Sequence, residues 1–438
     1  MFRYYLSLGL RSLRRNPILT GLMVLTLSVG IAASMSTLTV LHVMSGDPIP
    51  HKSDRLFVPQ FNYGELRGYD PNEDLDQQVA YTEARNLLDS GFGVRRVAVY
   101  GMNGALRTQD PDFQAIVGNG LAASRDFFAM FEVPFLHGGV WSEADEQNAA
   151  DVVVLSRKMA ERLFGKTDAV GERVRMGENF YKVVGVLDDW HPLPKYYRLI
   201  NGNGGAFYGE EEYIEPFATA VRHEEGNSGS NNCTGKGPDP GWQGWLDSDC
   251  TWIQFWFETE SASDRQALTE YLGAYIDEQK QLGRFERPSR IAVSNVMEWM
   301  QLLNVVGDDS RISTWLAFGF LLVCLVNTIG LLLAKFTARA GEIGVRRALG
   351  ASRGEIFAQY LIEAAVIGLV GGVVGLLLAF GGLALIAKQS NAMSMVASMD
   401  WEMLLLTIVL AVVASIFAGL LPTWRACQVL PAMQLKSQ

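Results

Sequence analysis

Four apolar runs constrain this chain more than anything else in it: Ile18 to Leu41, Ile312 to Ala334, Tyr360 to Ala387 and Met403 to Leu421. Each is long enough to cross the hydrocarbon of a bilayer as a helix, which needs about 20 residues. A segment in lipid must satisfy its own backbone polar groups, so these runs can only be helices. Between the first and second lies a long polar region, residues 45 to 311. The 438 residues therefore divide into a membrane part and a separately folded polar part. Charge orients the two. The polar region carries 25 Lys+Arg against 42 Asp+Glu, a balance of −17, while the remainder carries 12 against 5, or +7, within a total of −10. If both termini are inside, every base of that remainder except Lys388 flanks a cytoplasmic helix end. The positive-inside rule then places residues 45 to 311 outside the cytoplasm.

The stretch from Lys335 to Ala387 joins a basic segment directly to the third span. Glu342 precedes Arg346 by four residues, the favourable order on a helix face. Arg346 and Arg347 fall near the helix C-terminus, where cations suit the macrodipole, and Gly350 can supply a left-handed stop. Ser352 and Glu355 have capping-box spacing and lead into Ile356, Phe357 and Tyr360. A short charged helix is expected across the mouth of a membrane helix, as a mechanical lever requires. Within the span, Gly368 with Gly372 and Gly371 with Gly375 are four apart, a spacing that lets helix backbones approach closely in lipid.

Residues 1 to 16 repeat Phe2, Leu6, Leu10 and Leu13 opposite arginines, the pattern of an interfacial helix. A cleaved signal ending at Ala32-Ala33-Ser34 is the competing reading, but the apolar run is too long for a signal core, so a retained anchor is expected. The outer region alternates short strands and helices. The clearest block runs from strand Val152 to Leu155, through the Ser156 cap and a helix ending at Gly165, to a hairpin that turns at Gly177. Residues 201 to 249 read as loop, with Cys233 in it and Cys250 at its end. These two cysteines can form a disulfide in an oxidising compartment, the alternative being two free surface thiols.

The expected fold class is thus four transmembrane helices plus an extracytoplasmic α/β (α+β) domain of two subdomains between spans 1 and 2. In order, the chain reads as a cytoplasmic amphipathic helix (1–17), the first span and stalk (18–44), and the outer domain (45–311), in which 126–250 is inserted between 45–125 and 251–311. There follow spans at 312–334, 360–387 and 403–421, a cytoplasmic segment (335–359), a short outer loop (388–402) and a cytoplasmic tail (422–438).

Several chemistries find no support. There is no GxxxxGK[ST] phosphate loop, no HExxH and no SxxK, and the five histidines share no metal-ligand spacing. Glu210-Glu211-Glu212 reads as a solvated face. The spans hold almost no ionisable residue besides Glu363, near a cytoplasmic end, which argues against an ion-coupled carrier. Asn327 is expected to hydrogen-bond between helices.

With these features laid out, the chain resembles permease subunits of the MacB/FtsX-like ABC transporter family. The resemblance is carried by Glu342 to Ala351 (EIGVRRALGA), then Ile356, Gln359, Glu363 and the Gly371-Gly372 and Gly375 string. The outer stretch DVVVLSRKMAERLFGKTDAVGERVRMGENFYKVVGVL (151–187), Tyr213-Ile214-Glu215-Pro216 and the tail from Gly419 to Leu435 carry it further. The chain departs from the family at Gly139 and Trp424 and in its long 201–250 stretch. The resemblance implies a non-catalytic inner-membrane subunit of an export system, working as a dimer with itself or a related permease. ATP and Mg would be bound by a separate ATPase partner, with room for a periplasmic adaptor and an outer-membrane channel and no role for nucleic acid. By position it puts the ATPase contact at Glu342, Ile343, Val345, Arg346, Arg347, Leu349 and Gly350, and a stalk at Ile18 to Ser45 and Met297 to Trp315. Lipoprotein release, or signalling to a cell-wall hydrolase or antibiotic response, are the other roles it leaves open.

Overall fold

The computed structural model describes residues 16–62, 64–66, 69–72, 74–200, 205–207, 209–233, 237–388 and 401–427. The interfacial helix expected at 1–17, nearly all of the 388–402 loop and most of the 422–438 tail lie outside them. The chain forms two compact units, residues 46–305 and residues 1–45 with 306–438. Helix α1 (Pro17–Ser45) belongs to the second of these, and the chain then enters the first, the outer unit.

In the outer unit the described residues build one ten-stranded sheet. Its strands are β1 (Leu56–Phe61), β2 (Arg95–Arg107), β3 (Ile116–Ala123), β4 (Phe135–Gly138), β5 (Val152–Leu155), β6 (Arg173–Met176), β7 (Asn179–Leu187), β8 (Tyr213–Pro216), β9 (Gln254–Glu258) and β10 (Ile291–Asn295). The order across the sheet is β10-β1-β9-β2-β3-β8-β5-β7-β4, with β6 pairing both β2 and β7. Strands from 45–125 and 251–311 occupy one side and strands from 126–250 the other. The parallel pairing of β3 with β8 joins them.

Both faces are covered, because the side chains alternate into two separate apolar cores. On β2, Val97 and Val99 enter one core while Ala98 and Tyr100 enter the other. Helices α2 (Tyr81–Asp89), α3 (Arg157–Phe164) and α4 (Arg265–Gln281) supply Leu87, Met159 and Leu272 to the second of these. Helix α3 starts where Ser156 Oγ accepts from Met159 N at 3.1 Å and ends at Gly165, whose φ is +68°.

Two expectations change here. The stretch read as loop from 201 to 249 contains β8 and the short helices Phe217–Arg222 and Trp242–Leu246. Strand β8 lies in the middle of the sheet, with Pro216 at its last residue, beyond the register with β5. Its Tyr213 ring fills space that β2 and β3 leave open: a methyl group added at Gly104 would stand 2.6 Å from the Tyr213 hydroxyl, and one at Gly120 would overlap the ring. The Met297–Trp315 stalk helix is also not continuous. Helix α5 (Val296–Leu302) stops at Leu303, Asn304 turns with φ +47°, and α6 (Asp308–Thr337) restarts from Gly307.

Cys233 and Cys250 are joined in a disulfide. Closing a loop of that separation stabilises by about 3 kcal/mol on the chain-entropy estimate. Cys250→Ala is therefore expected to lower the unfolding free energy of the outer unit by about that much. Equilibrium denaturation of oxidised wild type against the variant measures it, and equal midpoints and slopes would reject the assignment.

The membrane unit packs α1 and α6 against α8 (Arg353–Ala387) and α9 (Trp401–Cys427), with the short helix α7 (Ala340–Ala348) between α6 and α8. Four of these helices are long and apolar enough to cross a bilayer. Helices α1 and α6 are tied along their length: Thr26 Oγ1 lies 3.3 Å from Thr328 Oγ1, Ser34 donates to the Ala317 carbonyl at 3.0 Å, and Thr314 donates to the Thr37 carbonyl at 3.5 Å. Asn327, expected to make such a bond, sits on the exposed side of α6; its neighbour Thr328 faces α1 instead.

Candidate functional site

Helix α7 and its two flanks form the candidate site. Glu342 and Arg346 pair at 2.7 Å on one face, as the i,i+4 spacing predicts, and Arg346 also donates to Gln359 of α8 at 3.0 Å. Gly350 has φ +101°, a conformation that suits glycine and ends the helix. The reciprocal bonds of the capping box follow: Glu355 N donates to Ser352 Oγ at 3.2 Å, and Ser352 N donates to Glu355 Oε2 at 2.9 Å.

These contacts sort the expected coupling residues into two sets. Ile343 is only 2% exposed and packs with Phe336, Ile356 and Tyr360 in the apolar core of the membrane unit. It anchors α7 and is not presented to a partner, since an isoleucine on that side gains more from burial. Val345 and Leu349 are 52% and 83% exposed, and Arg346 stands beside them. Arg347 is half-buried. The free face of α7 is thus two apolar side chains bordered by a guanidinium, a composition suited to a protein contact. A methyl group at Gly341 or Gly350 would meet nothing within 4 Å, so both glycines border open space.

The glycine string of α8 serves two neighbours. A methyl group at Gly372 would stand 2.5 Å from Ala411 Cβ on α9, and one at Gly368 would overlap Ser415. One at Gly371 would stand 3.2 Å from Leu27 Cβ on α1, and one at Gly375 would stand 3.0 Å from the Ser28 carbonyl oxygen. Helix α8 is wedged between α1 and α9 by alternate glycines of the same run. Glu363, one turn inside the span, is buried and ion-paired to Lys335 and Arg339.

Among the described residues no group of three or more His, Cys, Asp or Glu side chains is placed to hold a metal. Perturbed carboxyls occur in the outer unit. Burial pushes Glu215 up to about 8 although the Tyr181 hydroxyl bonds to it, so it keeps its proton at neutral pH. Glu211 corrects the expectation of a solvated acidic run. It is buried, with Oε1 accepting from Lys195 Nζ and the Tyr197 hydroxyl at 3.1 Å each and Oε2 from Arg198 at 3.2 Å. Burial pushes this carboxyl up, but the Arg198 and Lys195 charges outweigh that and hold it below the usual range. Glu210 and Glu212, on either side, make surface pairs with Lys158 and Arg162.

This arrangement can be set beside known proteins. The MacB-like periplasmic core domain matches residues 20–275, and the FtsX-like permease C-terminal domain matches residues 315–431. The chain belongs to the MacB/FtsX-like ABC transporter permease family. This permease is 24% identical over 302 residues to the uncharacterized ABC transporter permease YknZ of Bacillus subtilis, covering 68% of this chain and 65% of that protein. It is 24% identical over 379 residues to the pyoverdine export ATP-binding/permease protein PvdT of Pseudomonas fluorescens, covering 85% of this chain and 50% of that one. The permease thus spans about half the length of its PvdT relatives. The solved periplasmic region of MacB from Actinobacillus actinomycetemcomitans aligns with 58% of this chain and 95% of its own, at 14% identity and a TM-score of 0.36. Four apolar helices and a periplasmic-type domain make the permease a multi-pass inner-membrane protein.

Proposed function

We propose that this permease subunit works in an export system by mechanotransmission. A separate ATPase, which binds ATP and Mg, docks on the free face of α7. Its closure moves α7, and the motion passes through α6 and α1 toward the outer unit, where substrate is displaced without crossing the bilayer through this chain. The observation that carries the reading is the exposed Val345, Arg346 and Leu349 face on a helix whose opposite side is locked into the membrane unit. The bonds along α1 and α6 support their use as one transmitting pair. Both termini then lie in the cytoplasm, a reading the basic flanks support. A second permease copy or a related permease completes the assembly, with an adaptor and an outer-membrane channel as further partners for export.

Export is preferred here to lipoprotein release on the chemistry of one depression in the outer unit. A depression of about 310 Å³ in the outer unit is lined by Glu65, Asp239, Asp247, Asp249, Arg284 and Glu286, which would not shield acyl chains. Signalling to a hydrolase would show itself as stable binding of that enzyme to the outer unit. The test is direct. The chain purified alone is expected to hydrolyse no ATP, since it has no phosphate loop, and to gain activity when an ABC ATPase is added. Robust turnover by the isolated chain overturns the proposal.

A further inference from the structure

Three charged side chains at the inner end of the membrane unit have no part in the coupling face described above. Lys335 lies in the last turn of α6, Arg339 precedes α7, and Glu363 lies on α8 beyond α7. Lys335 Nζ stands 2.6 Å from Glu363 Oε1, and Arg339 stands 3.6 Å from the same oxygen. Lys335 and Glu363 are both 1% exposed. A carboxylate among apolar helices is costly unless paired, and removing one partner leaves a buried charge. One carboxylate beyond α7 therefore gathers two cations from the segment that precedes α7.

We propose that Lys335, Arg339 and Glu363 form an ionic clasp that fixes the base of α7, so that α6, α7 and α8 move as one body. The clasp closes the segment at its two flanks, while α7 itself is held by Ile343 in the apolar core and by the Arg346–Gln359 hydrogen bond. Next to the clasp, the Phe336 and Tyr360 rings pack with centroids 4.4 Å apart and tie α6 to α8 a second time. Apolar contacts alone would let α7 slide, because they are non-directional. The ionic trio adds direction and a single register. Glu363 is a positioning residue: it is buried and acts through Lys335 and Arg339. The clasp rests on the reading of α7 as the ATPase-facing lever only for its use, not for its existence.

The full chain in lipid nanodiscs provides the test, with spin labels at Leu349→Cys on α7 and Val370→Cys on α8 and with Cys324 and Cys427 replaced by Ser. A clasped α7 gives one narrow distance, and Glu363→Gln is expected to lose it in favour of a broad distribution. Arg339→Gln, which changes a less buried side chain, is expected to do the same and carries the test if Glu363→Gln does not insert. A second label pair on α8 and α9, Leu377→Cys with Val409→Cys, is expected to keep its distance in both variants. A narrow α7 distance in both variants overturns the clasp, and so does equal broadening of the α8–α9 pair, which would make the trio a general support of the bundle. Loss of ATPase capture has no bearing on these distances. A chain that binds no ATPase yet keeps a narrow, Glu363-dependent α7 distance would remove the proposed function and leave the clasp.

Discussion

Leu349→Asp is expected to abolish capture of the partner ATPase while the permease stays inserted and folded. Leu349 is 83% exposed at the end of α7, so the substitution removes little from the chain's own packing. In a docked complex the same carboxylate would sit in an apolar contact, at a cost of several kcal/mol if unpaired. Each ~1.4 kcal/mol is a factor of ten in affinity, so loss of about two orders of magnitude or more is expected. Reversing Arg346 and Arg347 to Glu is expected to lose capture as well. That result carries a second cause, because Arg346 also holds Glu342 and Gln359. Leu349 is therefore the cleaner probe. Pull-down of the ATPase and ATP-dependent activity in a reconstituted membrane read both variants. Wild-type levels in both would make α7 an anchor to lipid phosphates and not a lever.

Glu211→Ala is expected to cost the outer unit about 3–5 kcal/mol, the range for leaving buried partner charges unpaired. Lys195 and Arg198 would then lie buried without the carboxylate that both now contact. The pairs on either side, half-buried carboxyls with exposed cations, are expected to behave differently. Glu210→Ala breaks a pair with a lysine that is 60% exposed, and is expected to change stability by about 0–1 kcal/mol. Thermal or denaturant unfolding of the full chain separates the two. The sign with pH follows from the lowered carboxyl of Glu211. Its contribution is present above the ordinary Glu value of about 4.3 and is lost as pH falls through the lower folded value. Equal effects of Glu210→Ala and Glu211→Ala would mean that the buried network adds nothing.

Much of this was legible in the sequence, and the misses have physical causes. The spans were plain because lipid demands long apolar runs, and the Ser352–Glu355 and Ser156 caps were plain because capping is local. Glycine spacing on α8 showed close packing but not that Gly368 and Gly372 face α9 while Gly371 and Gly375 face α1. That division depends on two helices far away in the sequence. The glycines of strand β3 make sense only against side chains distant in sequence: Gly120 against the Tyr213 ring and Gly118 against Met159. Glu211 was misread because a run of three acids is usually solvated; the partners that bury it come from a turn 13 to 16 residues earlier. Ile343 within α7 and Leu349 at its C-cap are both apolar, and only the fold shows which one is spent inside.

The order of the sheet also dictates when this protein can begin to fold. Strands β1 and β2 are consecutive in the chain, yet they do not pair; β9 lies between them. Residue Phe57 must wait for Phe257, and Val97 for Trp256. A nascent chain delivered N-terminus first therefore emerges through the whole of 126–250 before the first half of its sheet can close. Long-range pairing of this kind slows folding and leaves strand edges exposed meanwhile. During that interval the inserted side can pair first, since β5 joins β7 and β8 without β1, β9 or β10. Folding of the outer unit is thus expected to start from its middle, with β1 unpaired until residue 258 has been delivered.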